Sequence, residues 1–275
     1  MPGERSGRCG RKEPKRMAKG ETWQRALIVG ASSGIGAELA RQLARSGCRV
    51  ALVARRNEEL ERIASEIDHA AGEQRAQIDP HRALVYTHDV REYECVPALF
   101  QQIAHDLGGL DLVIYAAGVM PRLADEEYAF DKDRLTIEVN LLGAMAWLNE
   151  AARRFTRAQT GTIVGISSVA GDRGRRGMPV YCASKAALNT YLEALRNRVS
   201  RYGVVVVTVK PGPVATPMTA GIEKLPMMIP VQNAAAQILT AAARRKVVAY
   251  VPGRWRPIMF ILRSIPSAIF RKLNV

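Results

Sequence analysis

Seven short runs of aliphatic and β-branched residues, each followed by a stretch long enough for a helix, constrain this chain more than any other feature. The runs are RALIVG (25–30), CRVALVA (48–54), ALVYT (83–87), LDLVIY (110–115), GTIVGIS (161–167), VVVVTV (204–209) and VVAYV (247–251). Continuous rather than alternating apolar residues predict strands covered on both faces. Helical periodicity falls near 34–46, 57–71, 93–107, 130–157, 179–202 and 231–244. Helix-length crossovers join parallel neighbours. The pattern predicts an α/β fold: a doubly wound, mostly parallel seven-stranded sheet with helices on both faces, a single domain over residues 23–251. In such sheets ligands bind beyond the carboxyl ends of the strands.

Charge narrows the partners. The 275 residues include 40 Lys or Arg and 26 Asp or Glu, a formal net charge of +14. That imbalance favours something anionic: a phosphorylated small molecule, a membrane surface or nucleic acid. No base-reading module accompanies the basic segments, so nucleic acid is not expected. Residues 1–22 read as a disordered basic arm; no apolar run follows to make a secretory leader, and Met17 is an alternative start. No apolar run reaches the length of a membrane span. Cys9, Cys48, Cys95 and Cys182 lack metal-ligand or CxxC spacing. They are expected as reduced thiols of a cytoplasmic protein, and no metal site is expected.

The first carboxyl end is VGASSGIG (29–36). Gly30 permits a sharp turn, Gly34 lets a pyrophosphate approach the backbone, and Gly36 allows the next helix to pack closely. The helix N-terminus adds free N–H groups, so Ser32, Ser33 and Ile35 join the glycines as cofactor contacts. The GxxxGxG spacing resembles that of the short-chain dehydrogenase/reductase family. Further landmarks follow in order: Asp89, AAG at 116–118, Asn140, Ser168, YCASK at 181–185 and PGPVAT at 211–216. The resemblance runs from about residue 25 to 251 and implies a Rossmann fold, an NAD(P)-dependent oxidoreductase and a homo-oligomer. The chain departs from the family at Val29 and at Tyr115-Ala116-Ala117-Gly118, where relatives carry polar side chains that tie strands together.

An NAD-binding sheet of this kind ends its second strand on a carboxylate that takes the ribose hydroxyl. Here the strand ends LVARRNEE, with Ala54 at that position. Arg55, assisted by Arg56 and Ser32, is expected to pair with a 2′-phosphate. The cofactor expected is NADP(H), with NAD(H) the alternative; the plainer reading is that Arg55 and Arg56 open a solvated helix. The resemblance implies that Asp89 and Val90 flank the adenine, Asp89 doubling as a helix cap. It adds Ala117 and Gly118 to the cofactor wall, and has Pro211, Gly212, Val214 and Thr216 close over the nicotinamide.

Tyr181 and Lys185, at i and i+4, share a helix face. A phenol titrates near 10 (about three units above neutrality). An ammonium about 4 Å away contributes on the order of 4 kcal/mol at a dielectric of about 20. Lys185 is therefore expected to bring Tyr181 down into the range of a general acid–base. Ser168 is placed to hydrogen-bond the reacting carbonyl oxygen. The resemblance implies that Lys185 also holds the nicotinamide ribose and that Asn140 positions a water beside it. For the Tyr–Lys pair alone, the alternative is a packed aromatic with a snorkelling cation.

Arg173, Arg175 and Arg176 lie between Ser168 and Tyr181 and are candidate contacts for an anionic substrate group such as a phosphodiester; an ordinary solvated loop is the alternative. MTAGIEKLPMMIP (218–230) suits either an apolar substrate lid or a plain core cover. Residues 252–275 carry five basic residues, no acidic ones and large apolar side chains. Such a basic amphipathic tail suits a membrane interface; packing on its own domain or a partner subunit is the alternative. AGDRGRRGMPVYCASKA and LRSIPSAIFRKL resemble the reductase components of decaprenylphosphoryl-ribose 2′-epimerases. That resemblance implies a keto-pentose on a polyprenyl phosphate, supplied by a flavin-dependent oxidase.

The expected function is reduction of a ketone to a secondary alcohol on a lipid-like or polyprenyl-phosphate-linked sugar substrate. The expected location is cytoplasmic, peripheral on the inner face of the cell membrane. Two readings compete: a cytoplasmic reductase of ordinary ketones or acyl groups, with the tail in subunit contacts, and a catalytically idle NADP-binding scaffold.

Overall fold

A computed structural model describes residues 23–70, 82–124, 126–222 and 225–273; the expected basic arm, residues 1–22, lies outside them. Strands β1 (Arg25–Val29), β2 (Arg49–Ala54), β3 (Ala83–Thr87), β4 (Leu112–Tyr115), β5 (Thr162–Ile166) and β6 (Val205–Pro211) occupy the first six apolar runs. Two short strands, β7 (Val214–Ala215) and β8 (Ile229–Pro230), pair apart from the main sheet, and β9 (Val248–Val251) closes it. The main sheet has the order β3-β2-β1-β4-β5-β6-β9, parallel at every pairing. The order reverses at β1, between β2 and β4, which opens a crevice at the carboxyl ends of β1 and β4.

Because successive side chains point to opposite faces, each strand feeds two cores. Ile28, Leu52, Ile114 and Val164 face a cluster closed by Leu39, Leu60 and Ile238. These come from α1 (Gly34–Arg45), α2 (Asn57–Ala70) and α7 (Val231–Ala243). Leu27, Val53, Val113 and Ile163 face Phe100, Trp147 and Leu192 on the other side. Those belong to α3 (Val96–Asp106), α5 (Gly143–Ala158) and α6 (Pro179–Val199). The layered, doubly wound arrangement is the one the apolar runs predict.

The long helix expected at 130–157 is interrupted. α4 (Phe130–Ile137) passes through a π-helical turn, Glu138–Leu142, before continuing as α5. The buried Tyr115 hydroxyl donates to the Val139 carbonyl at 2.6 Å, and a side chain inserted into the helical ladder is a known cause of such a turn. Tyr115 thus ties the end of β4 to this helix, at a position where the polar ties of relatives are missing.

Beyond β9 the chain forms α8 (Trp255–Ser264) and the single turn α9 (Ser267–Phe270). Trp255 and Met259 are buried and pack with Val169 in a third, small core. Among the described residues, no helix is long and apolar enough to cross a membrane.

Candidate active site

A cleft of about 380 Å³ opens at the carboxyl ends of the strands, where the reversal of strand order places it. Its nucleotide end is walled by Gly30, Ser32, Ser33, Gly34, Ile35 and Gly36, by Ala54, Arg55 and Arg56, and by His88 and Val90. Gly30 has φ of 91°, and a Cβ there would overlap the backbone of Ala117. Gly30 and Ala31 donate to the Val53 carbonyl at 2.7 and 3.1 Å, which bends the chain from β1 into α1. Ser33 precedes α1 without capping it through its side chain, so the first turn of the helix presents its N–H groups and positive dipole end to the cleft. This cradle fits the pyrophosphate of a dinucleotide.

The two arginines after β2 behave differently. Arg56 reaches back over the turn, its Nη2 donating to Ser32 Oγ at 2.9 Å and Ser33 Oγ at 2.8 Å. Arg55 is more than half exposed and lies 3.8 Å from the Asp89 carboxylate. Asp89 accepts from Arg91, side chain at 2.7 Å and backbone N–H at 3.0 Å. Those bonds and Arg55 hold its carboxyl below the usual range, against the cost of burial. Val90 lines the cleft, whereas Asp89 is held by Arg91 beside it; it caps no helix, the residue before the next turn being Glu92.

The reacting end gathers side chains from four elements. Ser168 follows β5, its Oγ accepting from the Ala170 N–H at 3.1 Å. Pro179 starts α6, which presents Tyr181 and Lys185 one turn apart. Lys185 is 4% exposed; its Nζ donates to the Ile166 carbonyl at 3.0 Å and stands 5.8 Å from the centre of the Tyr181 ring. Asn140 sits in the π-turn, fully buried, bonded to Val119 through both amide atoms and to Ser184 at 3.1 Å. A Cβ on Gly118 would lie 3.3 Å from Asn140 Oδ1 and 3.6 Å from Lys185 Nζ, so these three residues form one corner.

The electrostatics differ from the sequence expectation. Burial holds the Tyr181 phenol above its ordinary value, opposed by a hydrogen bond from Ser168 and by Arg175. Burial also lowers Lys185 to about 8. The lowering of the phenol expected from Lys185 is absent, because the same desolvation that strengthens a charge in this corner also raises the cost of ionising both groups. At neutral pH the arrangement holds a neutral phenol beside an ammonium that titrates nearby.

The loop after β6 closes the cleft. Pro211, Gly212, Val214 and Thr216 line it, and a Cβ on Gly34 would lie 3.3 Å from the Thr216 methyl. Met120, Met178, Met218, Ile222 and Leu225 make the wall beyond the reacting end apolar. Of the three loop arginines, Arg175 lines the cleft and Arg176 is exposed. Arg173 turns away to the tail, donating to the Arg263 and Ile265 carbonyls at 3.2 and 3.0 Å.

A buried network that no sequence motif announces lies behind the cleft wall. Asp172 pairs with Lys210 at 2.5 Å and accepts from the Tyr250 hydroxyl at 2.6 Å. It joins the turn after Ser168 to the residue before Pro211, so two walls of the cleft share one ion pair. Its members lie 38 and 78 residues apart, and the signal available was a Lys near the end of an otherwise apolar strand.

Residues 24–225 match the family model of short chain dehydrogenases. The chain belongs to the short-chain dehydrogenase/reductase family. An uncharacterized oxidoreductase of Mycobacterium tuberculosis strain H37Rv is 31% identical over 258 residues, covering 93% of this chain and 99% of that protein. Another, from Myxococcus xanthus strain DK1622, is 35% identical over 199 residues, covering 72% and 75%. A short-chain type dehydrogenase/reductase from Mycobacterium marinum has a similar structure, with a TM-score of 0.75 at 25% identity over 85% of this chain and 95% of that one. A variant actinorhodin polyketide ketoreductase, solved with NADPH, gives 0.73 at 27% identity over 83% and 95%. This short-chain dehydrogenase/reductase is therefore an oxidoreductase of a family that binds NAD(P). Among the described residues no cluster of His, Cys, Asp and Glu could hold a metal ion, and Cys48, Cys95 and Cys182 are free thiols.

Proposed function

We propose that this protein is an NADP(H)-dependent reductase that converts a ketone to a secondary alcohol on an amphiphilic, anionic substrate. The observation that carries the reading is that Ser168, Tyr181 and the buried Lys185 line one cleft, the last two one helical turn apart on α6, with burial holding the phenol above its ordinary value. A phenol kept protonated is a proton donor, and donation to a developing alkoxide is the reductive direction.

The nicotinamide, when bound, supplies the hydride that reaches the carbonyl carbon. Ser168 holds the carbonyl oxygen by hydrogen bond and steadies its developing charge. Tyr181 gives its phenolic proton to that oxygen, so hydride and proton together account for the added hydrogens. Lys185 supplies positive charge beside the phenolate that remains, and its contact with the ribose hydroxyls is part of the same proposal. Asn140 keeps the corner in register through its three hydrogen bonds, and a water beside it would link Lys185 to solvent.

For the cofactor, support comes from Arg56 over Ser32 and Ser33, where a 2′-phosphate would replace hydroxyl acceptors with a dianion. Arg55, beside Asp89, serves as a second cation. The actinorhodin ketoreductase, solved with NADPH, supports the same assignment. Val90 would lie against the adenine; Pro211, Gly212, Val214 and Thr216 would cover the nicotinamide, with Ala117 and Gly118 behind it.

For the substrate, the methionine-rich wall suits an apolar body and Arg175 an anionic group. A keto-pentose on a polyprenyl phosphate, made by a flavin-dependent oxidase, belongs to this class. A simple ketone or acyl substrate is the competing reading.

The test is oxidation of NADPH and NADH by the wild type and Tyr181→Phe, with polyprenyl-phosphoryl keto-pentose and simple ketones. Expected are a clear preference for NADPH and a loss of about 10²–10⁴ in kcat for Tyr181→Phe, with KM for NADPH unchanged. Equal or better use of NADH overturns the cofactor assignment. Preference for a simple ketone overturns the substrate class, and ketone reduction independent of Tyr181 overturns the mechanism.

A further inference from the structure

The tail is held to the domain on one side only. Trp255 and Met259 fill the small core with Val169. Trp255 also packs so tightly on Gly212 that a Cβ there would overlap the indole ring. Arg173 bonds the carbonyls at the end of α8 and stands 4.4 Å from the centre of the Phe270 ring, which fixes the turn into α9. The outer face is left open and apolar: Phe260 is 74% exposed, Ile261 62% and Ile269 56%. Arg256, Arg271 and Lys272 are exposed beside them.

A helix that folds only for its own domain turns its large apolar side chains inward; this one presents two aromatic or aliphatic anchors outward while three separate contacts hold it still. Large apolar side chains left exposed on elements that are themselves held in place suit an interaction surface. Residues 252–275 contain five basic residues and no acidic one. A second copy of the same face would meet it with like charge. An anionic bilayer complements both features, headgroups meeting the cations and the acyl boundary receiving Phe260, Ile261 and Ile269.

We propose that the outer face of α8 and α9 is a docking surface for anionic lipid, rigidly joined to the wall of the cleft. The join is explicit: Trp255 touches Gly212, which lines the cleft, and Arg173 belongs to the loop that carries Arg175. Docking would bring the cleft to a membrane surface, where an amphiphilic substrate resides. The inference stands on the tail itself and does not depend on the cofactor or reaction proposed above.

The experiment is co-sedimentation of the full chain with vesicles of phosphatidylcholine, alone or with phosphatidylglycerol. The wild type is compared with Phe260→Ser/Ile261→Ser and with Arg271→Glu/Lys272→Glu. Expected is binding to the anionic vesicles only, weakened about tenfold or more by each double substitution, with thermal midpoint and NADPH affinity unchanged. Should the apolar double variant fold poorly, Ile269→Ser tests the same face from the exposed end of the tail. Absence of binding to anionic vesicles overturns the proposal, as does binding that both variants retain. A wild type that fails to bind vesicles, yet sediments as an oligomer that the apolar variant dissociates, overturns it in favour of an interface between copies.

Discussion

At the nucleotide end of the cleft the wall is mostly backbone and exposed cation: Gly30 in its positive-φ turn, the start of α1, and Arg56 lying over two serine hydroxyls. At the reacting end it is buried side chain: Lys185 at 4% exposure, Asn140 at 0%, and Lys210 paired with Asp172 behind them. Positive charge serves different ends in the two places. An exposed guanidinium keeps its proton at every working pH and can act only by attracting an anion. A buried ammonium is costly to charge, so its surroundings decide its protonation and that of its neighbours. The difference separates recognition from chemistry, and each half can be perturbed without the other.

The largest effect is expected from Lys210→Met. Removing one partner of a buried ion pair costs about 3–5 kcal/mol of stability, because the Asp172 side chain is left with the Tyr250 hydroxyl as its remaining partner. Thermal or urea unfolding measures the loss, and Lys210→Met combined with Asp172→Asn should recover much of it. A neutral single variant would show that the reacting end is not buried in the sense argued.

Arg56→Ala comes next. Losing a charge-assisted hydrogen bond of about 1.5–3 kcal/mol should reduce kcat/KM with NADPH about ten- to a hundredfold while leaving kcat/KM with NADH unchanged. Arg55→Ala, which lacks the contacts of Arg56 to Ser32 and Ser33, should do less. Equal losses with both cofactors would break the division between the two ends.

The pH dependence is the gentlest probe. Lys185 is protonated below its value of about 8 and loses its charge as pH rises through it. The phenol stays protonated over the same interval, held up by burial. Ketone reduction, read as kcat/KM, should therefore be level on the acid side and fall with rising pH beyond about 8, by about tenfold per unit. No group assigned to the 2′-phosphate site is expected to change charge in this interval, guanidinium groups staying cationic, so the ratio of NADPH to NADH efficiency should stay constant. A ratio that drifts with pH would mean that the two ends are electrostatically coupled.

Much of the architecture was legible because the chain repeats one pattern. Each strand is apolar on both faces and each connector is helix-long, so the parallel layering and the position of the crevice follow. The GxxxGxG turn and the i, i+4 spacing of Tyr181 and Lys185 are local, and local geometry can be read from spacing. Spacing makes Arg173, Arg175 and Arg176 equivalent, yet they take three separate positions: on the tail, in the cleft and in solvent. Spacing likewise does not separate Arg55 from Arg56, yet Arg56 bonds Ser32 and Ser33 while Arg55 lies beside Asp89. A long flexible cation settles on the acceptors nearest to it, and those came from Ser32, Arg263 and Ile265, residues distant in the chain.

What the sequence by itself determined is the set of strands and helices, their order of crossover and the turn that meets a nucleotide, since these depend on backbone preference and hydrophobic period. What only the tertiary structure decided is which charges are buried, which arginine faces which acceptor, and how readily Tyr181 and Lys185 exchange protons. Desolvation and hydrogen bonding at a point in space depend on everything packed around that point. No spacing along the chain records that.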